Sequence, residues 1–200
     1  RIIENGKLVV KPALSEPELL NLAPVGTLEA FNSDGLRTLS KTIKATNLKE
    51  KTLRYPGHAG IMRIFRDTGF FDQEEKLMGN SKIRPIDFTS SLLFPKWELK
   101  PGEVDFTIMQ VYGEGVKNEQ NQRVTFDLYD EYDPVSGIHS MARTTGYTAT
   151  SALRMLINNV YTTKGLTLPE YLGRDKKYVD FLLKELKERG VVYKKSRMNL

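Results

Sequence analysis

Residues 103–109, Glu-Val-Asp-Phe-Thr-Ile-Met, decide the fold class. Val104, Phe106 and Ile108 alternate with Asp105, Thr107 and Met109, the period of two that sends successive side chains to opposite faces of a strand. A polar stretch at 113–121 then reads as a loop, and Val124, Phe126 and Leu128 resume the alternation on a second strand. Asp133-Pro134-Val135-Ser136-Gly137 is turn chemistry, which makes 138–143 a third arm. Three arms joined in this way form an antiparallel meander whose polar side needs no cover. The expected architecture is therefore α+β, with helices packed on one face of a mixed, mostly antiparallel sheet.

Upstream of the meander, residues 1–10 read as a ribbon turning at Asn5-Gly6, a strong hairpin dipeptide, with a first arm so short that residues are expected before it. Ser15-Glu16-Pro17-Glu18 has capping-box spacing and predicts a helical turn over 16–22. A strand is expected at 26–31, then a helix over 35–44 capped by Asp34, with Leu36, Leu39 and Ile43 on one face. A second strand, 49–55, is broken by Pro56-Gly57. The spacing of Ile61, Ile64 and Phe65 predicts a helix over 58–68, ended by Gly69 with Phe70 folding back. Residues 85–97 predict a helix buried through Phe88, Leu92 and Leu93, which Pro95 limits to about Leu93. Downstream, helices are expected over 148–160 and 176–189, the latter stopped by Gly190, with a final strand at 191–194.

Composition bounds the function. In 200 residues, 40% are hydrophobic and 28% charged, which fits one globular domain over the whole chain. No apolar run approaches the roughly 18 residues of a membrane span, and Arg1-Ile2-Ile3-Glu4 does not resemble a signal peptide, so a cytoplasmic address and no membrane partner are expected. The absence of cysteine excludes disulfides, thiolate catalysis and cysteine zinc sites. His58 and His139 lie too far apart for metal spacing. The net charge of +5 is dispersed among acidic residues, as in Lys184-Glu185-Leu186-Lys187-Glu188-Arg189, and no nucleic-acid partner is expected.

Three strand-to-helix junctions carry the chemistry. At 141–150, MARTTGYTAT, Arg143 closes the third arm and Thr144, Thr145 and Thr148 precede a helix, offering a cation and hydroxyls beside unpaired N–H groups, a place for an anion. The plainer alternative is that one threonine caps the helix and Arg143 pairs with an acidic neighbour. At 52–58, Arg54 and Tyr55 emerge at a strand end and His58 begins a helix, where the dipole favours neutral imidazole or the histidine is simply structural. At 29–34, Asn32 and Asp34 offer a donor–acceptor pair and a carboxylate, Asp34 being equally a plain cap. The three junctions are expected to line one pocket. Gly113-Glu114-Gly115 begins a dinucleotide fingerprint but lacks its third glycine, and neither a phosphate loop nor a Gly-x-Ser-x-Gly elbow occurs. No catalytic residue is assigned.

The stretches GTLEAFNSDGL (26–36), KTLRYPGHAGIMRIFRDTGFF (51–71), MARTTGYTAT (141–150), TTKGLTLPEYLG (162–173) and LLKELKERGVVY (182–193) together resemble the second domain of the saccharopine dehydrogenase family, in particular its saccharopine reductase and lysine 6-dehydrogenase members. The resemblance implies a two-part enzyme. A Rossmann domain, absent from this chain, would bind NAD or NADP, while this domain and its C-terminal return, about 165–200, would supply substrate contacts and the contacts of a homodimer. The implied reaction is hydride transfer at the C–N bond of lysine or saccharopine. Carried over by position, Arg54 and Tyr55 match the substrate-facing pair, Arg143, Thr145 and Tyr147 match the polar cluster of the late helix, and Asn32 and Asp34 match more loosely. His58 would orient its neighbours. Ser33 stands where saccharopine reductases tend to carry an arginine, which favours a smaller amino acid such as lysine unless Arg37 compensates. A rival class is a non-catalytic dimerisation or amino-acid-sensing module sharing the fold.

Overall fold

The computed structural model describes residues 1–200, which form two compact units, Arg1–Leu99 and Lys100–Leu200. In the first, β1 (Ile2–Glu4) and β2 (Lys7–Val9) make the hairpin expected at Asn5-Gly6, whose φ angles of 50° and 74° suit that dipeptide. Next come β3 (Glu18–Leu22), β4 (Gly26–Asn32), the short α1 (Leu39–Thr42), β5 (Lys51–Arg54), α2 (His58–Asp67), the small hairpin β6 (Lys76–Met78) and β7 (Ser81–Ile83), and α3 (Pro85–Trp97). The sheet order β3-β4-β5 places β4 centrally. Its Leu28, Ala30 and Phe31 are buried, as are Ile2, Leu36 and Ala59.

Several expectations are corrected here. The segment 16–22 is a strand, not a helical turn: Glu16 sits at φ 51°, outside the right-handed helical region, and Glu18, the acid of the capping-box spacing, pairs with Ala30 on the ladder and gives its carboxylate to Lys51 at 2.7 Å. The helix expected over 35–44 shrinks to four residues because Arg37, at φ 47°, interrupts it and Arg1 takes the Asp34 carboxylate that was to cap it. Helix α3 continues to Trp97 with Pro95 in its last turn. Phe88 and Leu92, expected in the core, are about half exposed, and the residue that α3 buries is Thr89, whose hydroxyl donates to the Phe70 carbonyl at 2.9 Å. The end of α2 is as read from the sequence, with Gly69 at φ 84° and the Phe70 ring edge-on to Phe65 at 5.3 Å.

The second unit holds β8 (Phe106–Lys117), β9 (Gln120–Glu131), α4 (Ser140–Ile157), α5 (Pro169–Leu172), α6 (Lys176–Glu188) and β10 (Tyr193–Asn199). The period-two stretch is strand, but Gly113 to Lys117 continue β8, and the turn narrows to Asn118 and Glu119 at φ 51° and 62°, the left-handed pair that suits strand twist. Residues 138–143 are not the third arm. Ser140 opens α4, and the third strand is β10 in the order β10-β9-β8. Leu128 on β9, Leu186 on α6 and Val191 form the core, with Tyr147, Leu182 and Tyr193 packed against them. All ladders are antiparallel, in four open sheets, and the class is α+β. No helix is long and apolar enough to cross a membrane.

Candidate functional site

The β5–α2 junction is built by strand register. Glu29 pairs with Arg54 and Phe31 with Thr52, so these four share one sheet face, while Ala30, Asn32, Lys51 and Leu53 take the other. Gly57, at φ 96°, turns the chain into α2, and Glu29 Oε2 accepts the Ala59 N–H at 2.8 Å, placing a carboxylate against the helix start. His58 lies parallel to the Phe31 ring at 5.9 Å. Burial holds its imidazole below the usual range, aided by the charge of Arg54 and opposed by Glu29. A neutral tendency was expected of His58 from the helix dipole; its cause in the structure is burial.

Arg54 itself is exposed and makes no ion pair; its Nη1 donates to the Leu53 carbonyl at 2.7 Å. Tyr55 is 64% exposed. Strand register therefore brings together Arg54, Glu29 and the ring pair Phe31–His58, with Tyr55 following directly in sequence. It separates Asn32, whose side chain leaves the opposite face.

Asn32 is buried at 2% exposure, its Nδ2 donating to Ser15 Oγ at 3.1 Å and its Oδ1 left without a partner. Asp34 is held by Arg1 through Nε at 3.0 Å and Nη2 at 2.8 Å, which lowers its pKa to about 2. Between them, the Ser33 hydroxyl donates to Glu50 Oε2, which also accepts the Gly35 N–H at 2.9 Å, while Thr52 Oγ1 donates to Ser33 Oγ at 3.0 Å. Ser33 is thus committed to fixing a carboxylate. A Cβ at Gly35 would lie 2.3 Å from Glu50 Cδ, so a larger residue there would displace the Glu50 carboxylate.

The head of α4, in the second unit, is occupied by the protein's own groups. Asp105 accepts from Ser140 N at 2.6 Å and Met141 N at 2.9 Å and faces His139 Nδ1 at 3.2 Å. Burial opposes its ionisation, but the Met141 and Ser140 amides and His139 outweigh that and hold the carboxyl below its usual range. Arg143 is one turn into the helix, buried, with Nε at 3.2 Å from Asp130 Oδ2, Nη2 at 3.2 Å from Asp130 Oδ1 and Nη1 at 3.1 Å from Asp133. Its pKa is raised by the hydrogen bonds to Asp130 despite burial. Thr145 spends its hydroxyl on the Met141 carbonyl at 2.5 Å, and Thr144 and Thr148 do likewise one turn back. Tyr147 packs in the core with the guanidinium carbons of Arg189 and Arg143 at 4.9 and 5.7 Å from its ring centre. The junction that looked most like an anion site is internally satisfied: Arg143 pairs with acidic neighbours, as the plainer alternative had it, but Asp105 and not a threonine caps the helix.

Sequence reasoning gave no role to Glu29, Glu50 and Asp105. Glu29 was within reach, because it lies two residues before Phe31 on a strand next to the Arg54 strand. Asp105 was not, since it caps a helix 35 residues away. The family model of the saccharopine dehydrogenase C-terminal domain matches residues 1–191, and the chain belongs to that family. It is accordingly an oxidoreductase-associated domain.

Proposed function

We propose that this member of the family is the substrate-orienting domain of an NAD(P)-dependent oxidoreductase acting on the C–N bond of lysine or saccharopine, and that the β5–α2 junction receives the substrate carboxylate. The observation that carries the reading is Arg54: an exposed guanidinium at a strand end, free of any ion pair, beside exposed Tyr55 and a histidine inclined to stay neutral. A guanidinium in that state can meet a carboxylate with two parallel bonds. Tyr55 offers a phenol to the same ligand, and Glu29 offers a negative charge suited to an amine. His58, stacked on Phe31, orients the junction.

The chain's own residues do not fit a dinucleotide. Gly113 and Gly115 lie inside β8, where no helix start follows them to take a pyrophosphate. The nicotinamide, held elsewhere in the full-length enzyme, would exchange the hydride; this domain would fix the reacting carbon in place. In the full-length enzyme, Arg54→Ala should raise KM for the amino acid by about tenfold or more, the loss expected for a charge-assisted bond, with Arg54→Lys recovering part of it. Unchanged kinetics with both lysine and saccharopine would reject the assignment.

A further inference from the structure

Alternation along β5 sets a base and an acid at the two ends of one stripe. Arg54 and Thr52 share a sheet face with Glu29 and Phe31. Glu50, immediately before β5, joins them: the Ser33 hydroxyl that donates to Glu50 Oε2 accepts from Thr52 Oγ1 at 3.0 Å, and the Gly35 N–H reaches the same carboxylate oxygen at 2.9 Å. Glu50 is therefore a half-buried carboxylate held in a fixed place. It has no cation. Its partners are a hydroxyl and an amide, whereas Glu16, Glu18 and Asp34 in the same unit are each paired with lysine or arginine. Glu29 is in the same condition, its Oε2 taken by the Ala59 N–H.

The face thus presents the unpaired Arg54 guanidinium and two carboxylates without counter-ions, with Thr52 and the Phe31–His58 ring pair between its ends. Its complement is a molecule with one carboxylate and two amines. With its carboxylate on Arg54, such a molecule meets Glu29, the cross-strand neighbour of Arg54, through its α-amine. Glu50 lies four residues from Arg54, about 13 Å along extended chain, and the two side chains reach into that gap from its ends. What is left is the length of a lysine side chain.

We propose that Glu50 receives the distal amine of the substrate and selects a diamino monocarboxylic acid of lysine's length. The proposal rests on the reading in which Arg54 receives the carboxylate. Because Ser33 and Gly35 hold the Glu50 carboxylate in place, a second substrate carboxylate at that end meets a like charge, which disfavours a glutaryl adduct such as saccharopine.

Calorimetry on the full-length enzyme with lysine, saccharopine and norleucine, which is lysine without the distal amine, tests it. The parent should bind lysine about tenfold or more tightly than norleucine. Glu50→Gln keeps an acceptor for Ser33 and Gly35 but removes the charge; it should weaken lysine by about tenfold or more, leave norleucine at its parent value and narrow the advantage of lysine over saccharopine. Ser33→Ala loosens the same carboxylate without removing it and should also weaken lysine alone, so it decides the matter if Glu50→Gln does not fold. Unchanged lysine affinity in the folded variants, or equal losses for lysine and norleucine, would overturn the proposal. Arg54→Ala tells the two readings apart, since it should weaken lysine and norleucine alike. Normal binding of both there would reject the carboxylate assignment, while the difference between lysine and norleucine in Glu50→Gln judges Glu50 by itself.

Discussion

The difference between Arg54 and Arg143 shows how one residue type takes opposite roles. Both were expected to grip an anion. Arg143 has a carboxylate on two sides and is buried with Asp130, whose side chain is 4% exposed. Replacing it by alanine strands that carboxylate, and the expected loss in urea unfolding is about 3–5 kcal/mol, with no binding phenotype that survives correction for folding. Asp105→Ala removes the cap of α4 and should cost about 0.5–2 kcal/mol. Acid should act on the first unit through Glu16, which Lys11, then Lys49 and Asn32, hold at about 2 against an ordinary 4.5. A depressed carboxyl stabilises fully above its unfolded pKa and loses that contribution as pH falls through the folded one. Stability should therefore decline between pH 4.5 and 2. Lys11→Met should flatten that decline; an identical acid profile in the variant would contradict it.

At the scale of elements, local chemistry was legible and long-range chemistry was not. Helix α2 was read almost to the residue because its start, face and glycine stop all lie within it. Helix α4 was started eight residues late because its cap comes from Asp105, and its threonines, which signal strand, spend their hydroxyls on helix carbonyls. The capping-box spacing at Ser15 misled because its acid, Glu18, is drawn to Lys51 and β4 offers a ladder partner. At the candidate site, the placement of Arg54, Tyr55 and His58 was legible in the sequence, since strand end, break and helix start are local signals. That Asn32 leaves the opposite face depends on β4–β5 register, which no local spacing encodes. The stop of α6 is a test at this scale. Gly190 has φ 83°, and a Cβ there would lie 3.0 Å from Arg143 Nη2. Gly190→Ala should lower stability by more than about 1 kcal/mol in thermal or urea unfolding, whereas Gly115→Ala, at an ordinary φ in open space, should cost less.

For the whole molecule, the two units carry separate cores and separate chemistry, the first an open junction and the second a closed polar network. Chymotrypsin should cut first after the exposed Trp97 or Leu99, at the boundary between them, leaving two fragments of near-equal size; early cuts within β4 or α4 would contradict that division. The central claim is that the open junction, and not the head of α4, receives the substrate carboxylate. Titration calorimetry of lysine and saccharopine against the parent, Arg54→Ala and Thr145→Val tests it most directly. Affinity should fall about tenfold or more in Arg54→Ala and stay at the parent value in Thr145→Val. Loss in Thr145→Val with full binding in Arg54→Ala would contradict the account.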